Sequence, residues 1–286
     1  MSSFPRTLVG GVSLSRLIIG SNWLLGYSHC TPAKDTYIKE VIRDRKHIAN
    51  ILEVFFRAGV DTIMFPFDNE PIRDAMRDAE DRTGVKGIII STPSLPITPE
   101  TPTQGFDLGE VERILDAVQA QGATFCMPHQ NTTDALIDRC SHEIRRMAEV
   151  TPLIRARGMH PGLSSHMPEA IVYADESKLD VDSYISIYNS AGFLMQLEVD
   201  WVAKINREAQ KPVMTIKPLA AGQLRPFQAL NFVWNTIRPC DMVTIGTMSP
   251  DEAREVIDMS MGILENQPIE IKLQETRSKS SVKPRG

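Results

Sequence analysis

The stretch HIANILEVFFRAGVDTIMF, residues 47–65, contains the repeating unit that decides the fold. Its first half places apolar residues at helical spacing: Ile48, Ile51, Leu52 and Phe55. Gly59 is expected to end this helix, because glycine readily adopts the left-handed backbone that follows many helices. The run DTIMF, which ends at Phe65, is short and apolar, as a buried strand is. A helix, a glycine and a short strand in this order predict a crossover between parallel strands.

The same unit recurs along the chain. Apolar runs predict strands that end at Ser21, Phe65, Ser91, Met127, Met159, Tyr188, Ile216 and Ile245. The later helices are predicted at 133–149, 168–174, 193–209, 227–235 and 250–264. Strands that alternate with helices in this way predict a (β/α)₈ TIM barrel. The alternative is an open doubly wound sheet, and the absence of a GxGxxG motif after the first strand argues weakly against its dinucleotide-binding form.

Residues outside this repeat predict a hairpin and a tail. Residues 5–16 carry Gly10 and Gly11 between short β-like runs, and they are expected to form a β-hairpin that closes the bottom of the barrel. We expect one barrel domain over residues 1–272. The polar, basic residues 273–286 are expected to be a flexible tail.

Composition narrows the class of protein. The chain has 286 residues, of which 42% are hydrophobic and 23% charged, and its formal net charge is −5. These values predict a folded protein without a broad nucleic-acid surface. No signal peptide is visible, and no apolar run is long enough to cross a membrane. We therefore expect neither nucleic acid nor a membrane as a partner. The scattered cysteines favour a reduced, cytoplasmic protein; they are Cys30, Cys126, Cys140 and Cys240. A homo-oligomer is possible on this sequence.

Four stretches carry a resemblance to a known family. They are RTLVGGVSLSRLIIGSN (6–22), GLSSHMPEAI with YISIYN (162–171 and 184–189), KPVMTIKPLAAGQLRP (211–226) and VTIGTMSPDEAREVI (243–257). Through them, residues 5–265 resemble the aldo/keto reductase superfamily. The resemblance implies an aldo/keto-reductase-like barrel with its site at the carboxyl-terminal mouth. It also implies hydride transfer from NADPH, assisted by Asp, Tyr, Lys and His.

The chain departs from that family pattern at two places. His129, at the end of TFCMPH, matches the family's histidine. The segment DTIMFPFDNEP (61–71) has no tyrosine, and IISTPS (89–94) has no lysine. We therefore expect a degenerate catalytic tetrad and weak or absent NADPH binding. Arg254 would bind cofactor only if a nicotinamide is bound.

Polar residues that follow the predicted strands are the candidates for chemistry. His129, with Asp68 or Glu70, is expected to transfer protons, and Lys217 could act as a base or form an imine. The candidates for substrate binding are Trp23, Tyr27, His166 and Asn189. A divalent metal could be held by His29, His129 and His166, although no HxH or HExxH spacing supports it. Each of three candidates also has a structural role open to it. Asp68 could cap a helix, His29 could be a solvated loop histidine, and Lys217 could form an ion pair.

These residues predict an enzyme that acts on a small polar, sugar-like or carbonyl substrate. His/carboxylate acid–base chemistry, metal-assisted or not, would make it an isomerase, lyase or hydrolase. One alternative is an NAD(P)H-dependent oxidoreductase with a variant catalytic set. The other is a non-catalytic barrel that serves as a binding or assembly subunit.

Overall fold

The computed structural model describes residues 3–42, 44–66, 69–101, 108–269 and 279. An antiparallel hairpin, β1 (Arg6–Val9) and β2 (Val12–Ser15), opens the chain. Two-residue strands β7 (Ile137–Asp138) and β8 (Glu143–Ile144) form a second hairpin. The other eight strands are parallel and close into a barrel: β3 (Leu17–Gly20), β4 (Thr62–Phe65), β5 (Ile88–Ser91), β6 (Phe125–Cys126), β9 (His160–Ser164), β10 (Ser183–Ile187), β11 (Val213–Ile216) and β12 (Met242–Ile245). The predicted barrel and its N-terminal hairpin are confirmed.

Helices lie between the barrel strands. They are α1 (Pro32–Val41), α2 (Arg45–Arg57), α3 (Glu70–Thr83), α4 (Gly109–Ala120), α5 (Gln130–Thr133), α6 (Met147–Ala156), α7 (Glu169–Glu176), α8 (Val199–Glu208), α9 (Pro226–Thr236) and α10 (Pro250–Leu264). Helix α2 shows why the deciding unit folds as it does. The Asp44 side chain accepts a hydrogen bond from the backbone N–H of His47 and caps the helix. Gly59 follows its end with a φ of 80°.

A cluster of apolar side chains fills the barrel interior. It combines residues of the barrel strands with hairpin residues: Val9, Leu14, Ile18, Met64, Ile90, Phe125, Met127, Ile185, Met214 and Met242. Val9 and Leu14 are fully buried, so the hairpin packs into the barrel as its floor. Because this end is filled with side chains, a pocket can form only toward the opposite, carboxyl-terminal end.

The fifth barrel strand begins later than predicted. We expected a strand ending at Met159, but residues up to Ala156 belong to α6 and the strand is His160–Ser164. A strand ending at Met159 would place His160 in the loop after it, and that placement is wrong. It is the first strand residue, at the floor end, and its Nδ1 lies 2.7 Å from Asp182 Oδ2.

The predicted helix over 133–149 is wrong. A 3₁₀ turn (Asp134–Leu136) and the β7–β8 hairpin occupy most of it. The Asp138 carboxylate accepts a hydrogen bond from the backbone N–H of Cys140 and pairs with Arg145. Such local side-chain contacts compete with helix formation. His142, which the predicted helix would contain, is exposed and lies in the hairpin turn with a φ of 54°.

The helix predicted from residue 193 begins only at Val199. The Asn189 side chain holds the preceding loop, since it accepts from the N–H of Phe193 at 2.9 Å and donates to the Phe193 carbonyl at 3.0 Å.

None of the helices in the described ranges has the length and apolar character needed to cross a membrane. Apart from position 279, residues 273–286 lie outside the described chain, and the domain boundary at residue 272 stays a prediction.

Candidate active site

A cavity of about 590 Å³ lies at the carboxyl-terminal mouth of the barrel. Its volume falls in the range of ordinary small-molecule pockets. The basic side chains that line it are His29, His129, His166 and Lys217. Each comes from a segment that follows a different strand: β3, β6, β9 and β11. Among the described residues, no aspartate or glutamate belongs to the lining.

The side chains of Lys217 and His29 lie next to each other at the mouth. Lys217 follows β11 directly, and its Nζ lies 3.5 Å from His29 Nε2. The same Nε2 lies 2.6 Å from the side-chain amide nitrogen of Asn22. Because both neighbours are donors, Nε2 is the acceptor and the ring carries its proton on Nδ1. Burial and then the Lys217 charge lower the pKa of His29 to about 4, so the ring is neutral at pH 7.

The loop that carries His29 is fixed by the first helix. Asp35 in α1 accepts hydrogen bonds from the N–H and the hydroxyl of Ser28, at 2.7 and 2.5 Å. These bonds lower the pKa of Asp35. The Ser28 hydroxyl in turn accepts from the N–H of Cys30. His29, between the two, has a φ of 59°, a left-handed conformation that is costly for a residue with a Cβ atom.

Lys217 also has a left-handed backbone, with a φ of 58°. Burial of its side chain lowers the pKa of Lys217 to about 8. Ala220 and Ala221 in the same loop are left-handed too. Strained residues of this kind persist where the surroundings hold them, and they concentrate at functional sites.

The backbone of His166 is held by the half-buried carboxylate of Asp134. Both oxygens of Asp134 lie 3.2 Å from the His166 backbone N–H, and Asp134 Oδ1 accepts from the Ser165 hydroxyl at 2.5 Å. Burial raises the pKa of Asp134. Burial and then the Lys217 charge lower the pKa of His166 to about 4. His166 is therefore a neutral residue that lines the cavity. Its loop is fixed by Asp134, which follows a different strand of the barrel.

His129 lies at the start of α5. Its backbone N–H donates to the Pro93 carbonyl at 2.8 Å. Its Nδ1 lies 3.0 Å from Asn131 Oδ1 and 3.4 Å from the Asn131 backbone nitrogen. The shorter contact favours a ring that donates from Nδ1, which leaves Nε2 as the acceptor. Asn131 Oδ1 is itself 3.1 Å from the Ser94 hydroxyl, so the ring rests on a fixed support.

The other predicted site residues divide into three groups. Trp23 and Tyr27 line the cavity, and the Tyr27 ring meets the His29 ring edge-on at 4.6 Å. Glu70 is an exposed residue at the start of α3 and does not line the cavity, and Asn189 is occupied by its loop. Asp68 lies outside the described residues. The predicted partnership of His129 with a carboxylate is therefore not made by Glu70.

Sequence reasoning missed the residues that position the site. They are Asn22, Ser28, Asp35 and Asp134. Asn22 carried a signal, since it follows the strand run LIIGS. Asp134 carried none, because its carboxylate acts on a residue 32 positions away.

Two features of the described residues bear on the cofactors that the sequence raised: the start of α10 and the grouping of possible metal ligands. The Ser249 hydroxyl caps α10 by accepting from the Glu252 N–H, and the Glu252 carboxylate accepts from the Met248 N–H. The exposed side chains of Asp251 and Arg254 form an ion pair at 2.5 Å, so a carboxylate lies beside the predicted cofactor arginine. This acidic, self-capped helix start is a poor site for a nucleotide phosphate. Among described side chains, no three His, Cys, Asp or Glu residues are grouped to hold a metal ion, and the predicted histidine set is no exception.

Comparison with known proteins supports the fold. No family model matches the sequence, and no curated protein does. A Pseudomonas aeruginosa structure described as an aldo-keto reductase is 17% identical, with a TM-score of 0.62 over 91% of this chain and 96% of that one. The fold is aldo/keto-reductase-like. An aldo/keto reductase of Brucella melitensis is 11% identical, with a TM-score of 0.56 over 92% of this chain and 99% of its own.

Barrels of other enzymes are similar as well. A truncated 3-deoxy-D-arabino-heptulosonate 7-phosphate synthase of Thermotoga maritima is 10% identical, with a TM-score of 0.55 over 92% of this chain and 93% of that one. At such identities the comparison establishes the barrel and leaves the chemistry to the residues at its mouth.

Proposed function

We propose that this chain is an enzyme that moves protons on a small polar compound containing a carbonyl group, as an isomerase or a lyase does. The observation that carries the proposal is the collection of three histidines and a lysine around one cavity, each delivered by a different strand. Imidazole and amine groups take up and release protons near neutral pH when their surroundings adjust their pKa values.

His129 is the proton-transferring group in this proposal. Its ring lines the cavity on a support fixed by Pro93 and Asn131, and it matches the histidine of the family that the sequence resembles. With Nδ1 bonded to Asn131, Nε2 would accept the substrate proton. The neutral His166, held by Asp134, would orient the substrate oxygen. Lys217 would supply positive charge where an enolate-like oxygen develops.

A nicotinamide-dependent reductase is less well supported by these residues. The segments that should carry the family's tyrosine and lysine have neither, and the start of α10 is acidic. Without that pair, direct hydride transfer to a carbonyl lacks its proton donor.

Proton abstraction next to a carbonyl can be tested before the natural substrate is known. The purified chain is incubated in D₂O with a panel of small aldoses, ketoses and 2-oxo acids, and NMR follows the loss of their α-proton signals. Exchange that needs the protein and disappears in His129→Ala supports the proposal. The proposal would be overturned if, for every compound of the panel, the α-proton signal disappeared no faster with the protein than without it.

A further inference from the structure

The Lys217 amine stands in an unusual environment for a partly buried lysine. Such a lysine commonly pairs with a carboxylate. Within the described chain, Lys217 forms no salt bridge, and its Nζ contact is the neutral His29 ring at 3.5 Å. The cavity into which it opens has no described carboxylate in its lining. Among the described residues, no carboxylate lies beside the amine to keep it protonated.

Burial of its side chain favours the uncharged, nucleophilic form of this amine. The titratable groups around it are His29 from the β3 loop and His166 from the β9 loop, and both pKa values lie near 4. Asp35 and His129 act on those two histidines. With a Lys217 pKa of about 8, roughly half of the amines are uncharged at pH 8, against well under 1% for an ordinary lysine. A desolvated lysine of this kind is a good imine-forming nucleophile.

We infer that Lys217 forms an imine with the carbonyl carbon of a small aldehyde or ketone bound in this cavity. The inference rests on the proposed function for the presence of a carbonyl substrate, and it assigns a covalent role that proton transfer alone does not need. The amine nitrogen attacks the carbonyl carbon, and the π electrons move to oxygen. The resulting carbinolamine expels that oxygen as water. Overall, an ammonium ion and a carbonyl group give a protonated imine and one water, with no change of oxidation state.

An imine at this position would make the cavity an electron sink. The protonated imine withdraws electrons from the neighbouring carbon more strongly than the carbonyl does. His129, on the other side of the mouth, could then remove a proton from that carbon or help to break a carbon–carbon bond. The substrate class that follows is a short aldehyde, ketone or 2-oxo acid.

Borohydride trapping tests the inference directly. The full chain is incubated with glycolaldehyde or with pyruvate, sodium borohydride is added, and peptides are mapped by mass spectrometry. Hydride reduces the imine to a stable secondary amine, so the modified peptide gains the mass of the carbonyl compound less one oxygen atom. The expected result is an adduct on Lys217 at least tenfold above that on any other lysine, with more adduct at pH 9 than at pH 7.

Variants sharpen the measurement. Lys217→Arg keeps a positive charge and cannot form the imine, so its adduct should vanish. The matched control is Lys204→Arg on α8, where the exposed Lys204 Nζ lies over the Trp201 ring and outside the cavity. This control should trap as the parent does. Peptide mapping of the parent itself locates the adduct even if Lys217→Arg fails to fold.

The outcomes separate the inference from the proposed function. Adducts spread evenly over surface lysines, or none at all with either compound, would overturn the inference. Proton exchange in D₂O without a Lys217 adduct overturns only the imine and leaves the proposed function standing. A Lys217 adduct without exchange confirms the imine and counts against proton transfer.

Discussion

Lys217 Nζ and His29 Nε2 lie 3.5 Å apart, and both residues have left-handed backbones, with φ values of 58° and 59°. Each conformation costs about 1 kcal/mol or more for a residue with a Cβ atom. Two segments that are 188 residues apart in sequence therefore both accept strain to bring an amine and a neutral imidazole together. Such paired strain is expected where geometry matters more than stability.

Replacing the lysine should stabilise the fold. Burial lowers the folded-state pKa of Lys217 to about 8 from its ordinary value of 10.5, so folding disfavours the charged form. Lys217→Met should raise the free energy of unfolding at pH 7 by about 3 kcal/mol. The unfolded chain binds more protons than the folded one between about pH 8 and 10.5, so the parent gains stability in that window and the difference shrinks. Urea denaturation at several pH values measures it.

The control for this stability measurement is Lys204→Met, at an exposed position on α8. It should change the free energy of unfolding little at any of these pH values. A Lys217→Met variant that is less stable than the parent at pH 7 would show that the amine is well paired after all.

His129→Ala should abolish most of the catalysis. General acid–base groups typically contribute about 10²–10⁴-fold. We therefore expect the rate of α-proton exchange, or of turnover once a substrate is found, to fall at least about a hundredfold. Circular dichroism should show an unchanged fold. His142→Ala, in the exposed β7–β8 turn, is the comparison variant and should exchange at the parental rate. Equal rates for both variants would make His129 a packing residue.

Removing the His29 ring should move the pH dependence of imine trapping. The Nε2 acceptor stabilises the charged form of Lys217, so His29→Phe should lower the pKa of the amine further. The half-maximal pH for borohydride trapping is then expected to shift down from about 8. Cys30→Ser changes the next residue of the same loop and should leave the profile where it was. An upward shift in His29→Phe would mean that the ring repels the ammonium ion.

NADPH should bind weakly or not at all. The start of α10 offers a nucleotide phosphate two acidic side chains, Asp251 and Glu252, and a serine hydroxyl already used as a cap. Isothermal titration calorimetry with NADPH should give no saturable heat at micromolar protein. A dissociation constant in the low micromolar range would instead favour the reductase alternative.

The sequence was most informative where burial alone decides structure. Short apolar runs predicted the barrel because parallel strands are covered on both faces, and helix α10 begins and ends where its pattern does. The pattern failed at 133–149, where Asp138 bonds to its own neighbours and bends the chain into a hairpin. Hydrophobic spacing does not register such local polar competition.

The sequence likewise predicted the position of the candidate site residues but not their contacts. His29, His129, His166 and Lys217 could be placed at one mouth because all parallel strands end there. Their chemistry could not be predicted, since it depends on distances between loops that are far apart in sequence. The contacts that assign the His29 tautomer are of this kind, and so are the hydrogen bonds between Asp134 and the backbone of His166.

The β1–β2 hairpin closes one end of the barrel. Val9 and Leu14 pack among the interior side chains, so reactants and products must pass through the same mouth. In the proposed reaction, a proton taken up by His129 would then be shielded from bulk water for as long as the ligand blocks that opening. We expect part of the isotope removed from a labelled substrate to return to the same molecule before it departs, a fraction measurable as retained deuterium in product formed in ordinary water. Complete washout would show that water reaches the base while the mouth is occupied.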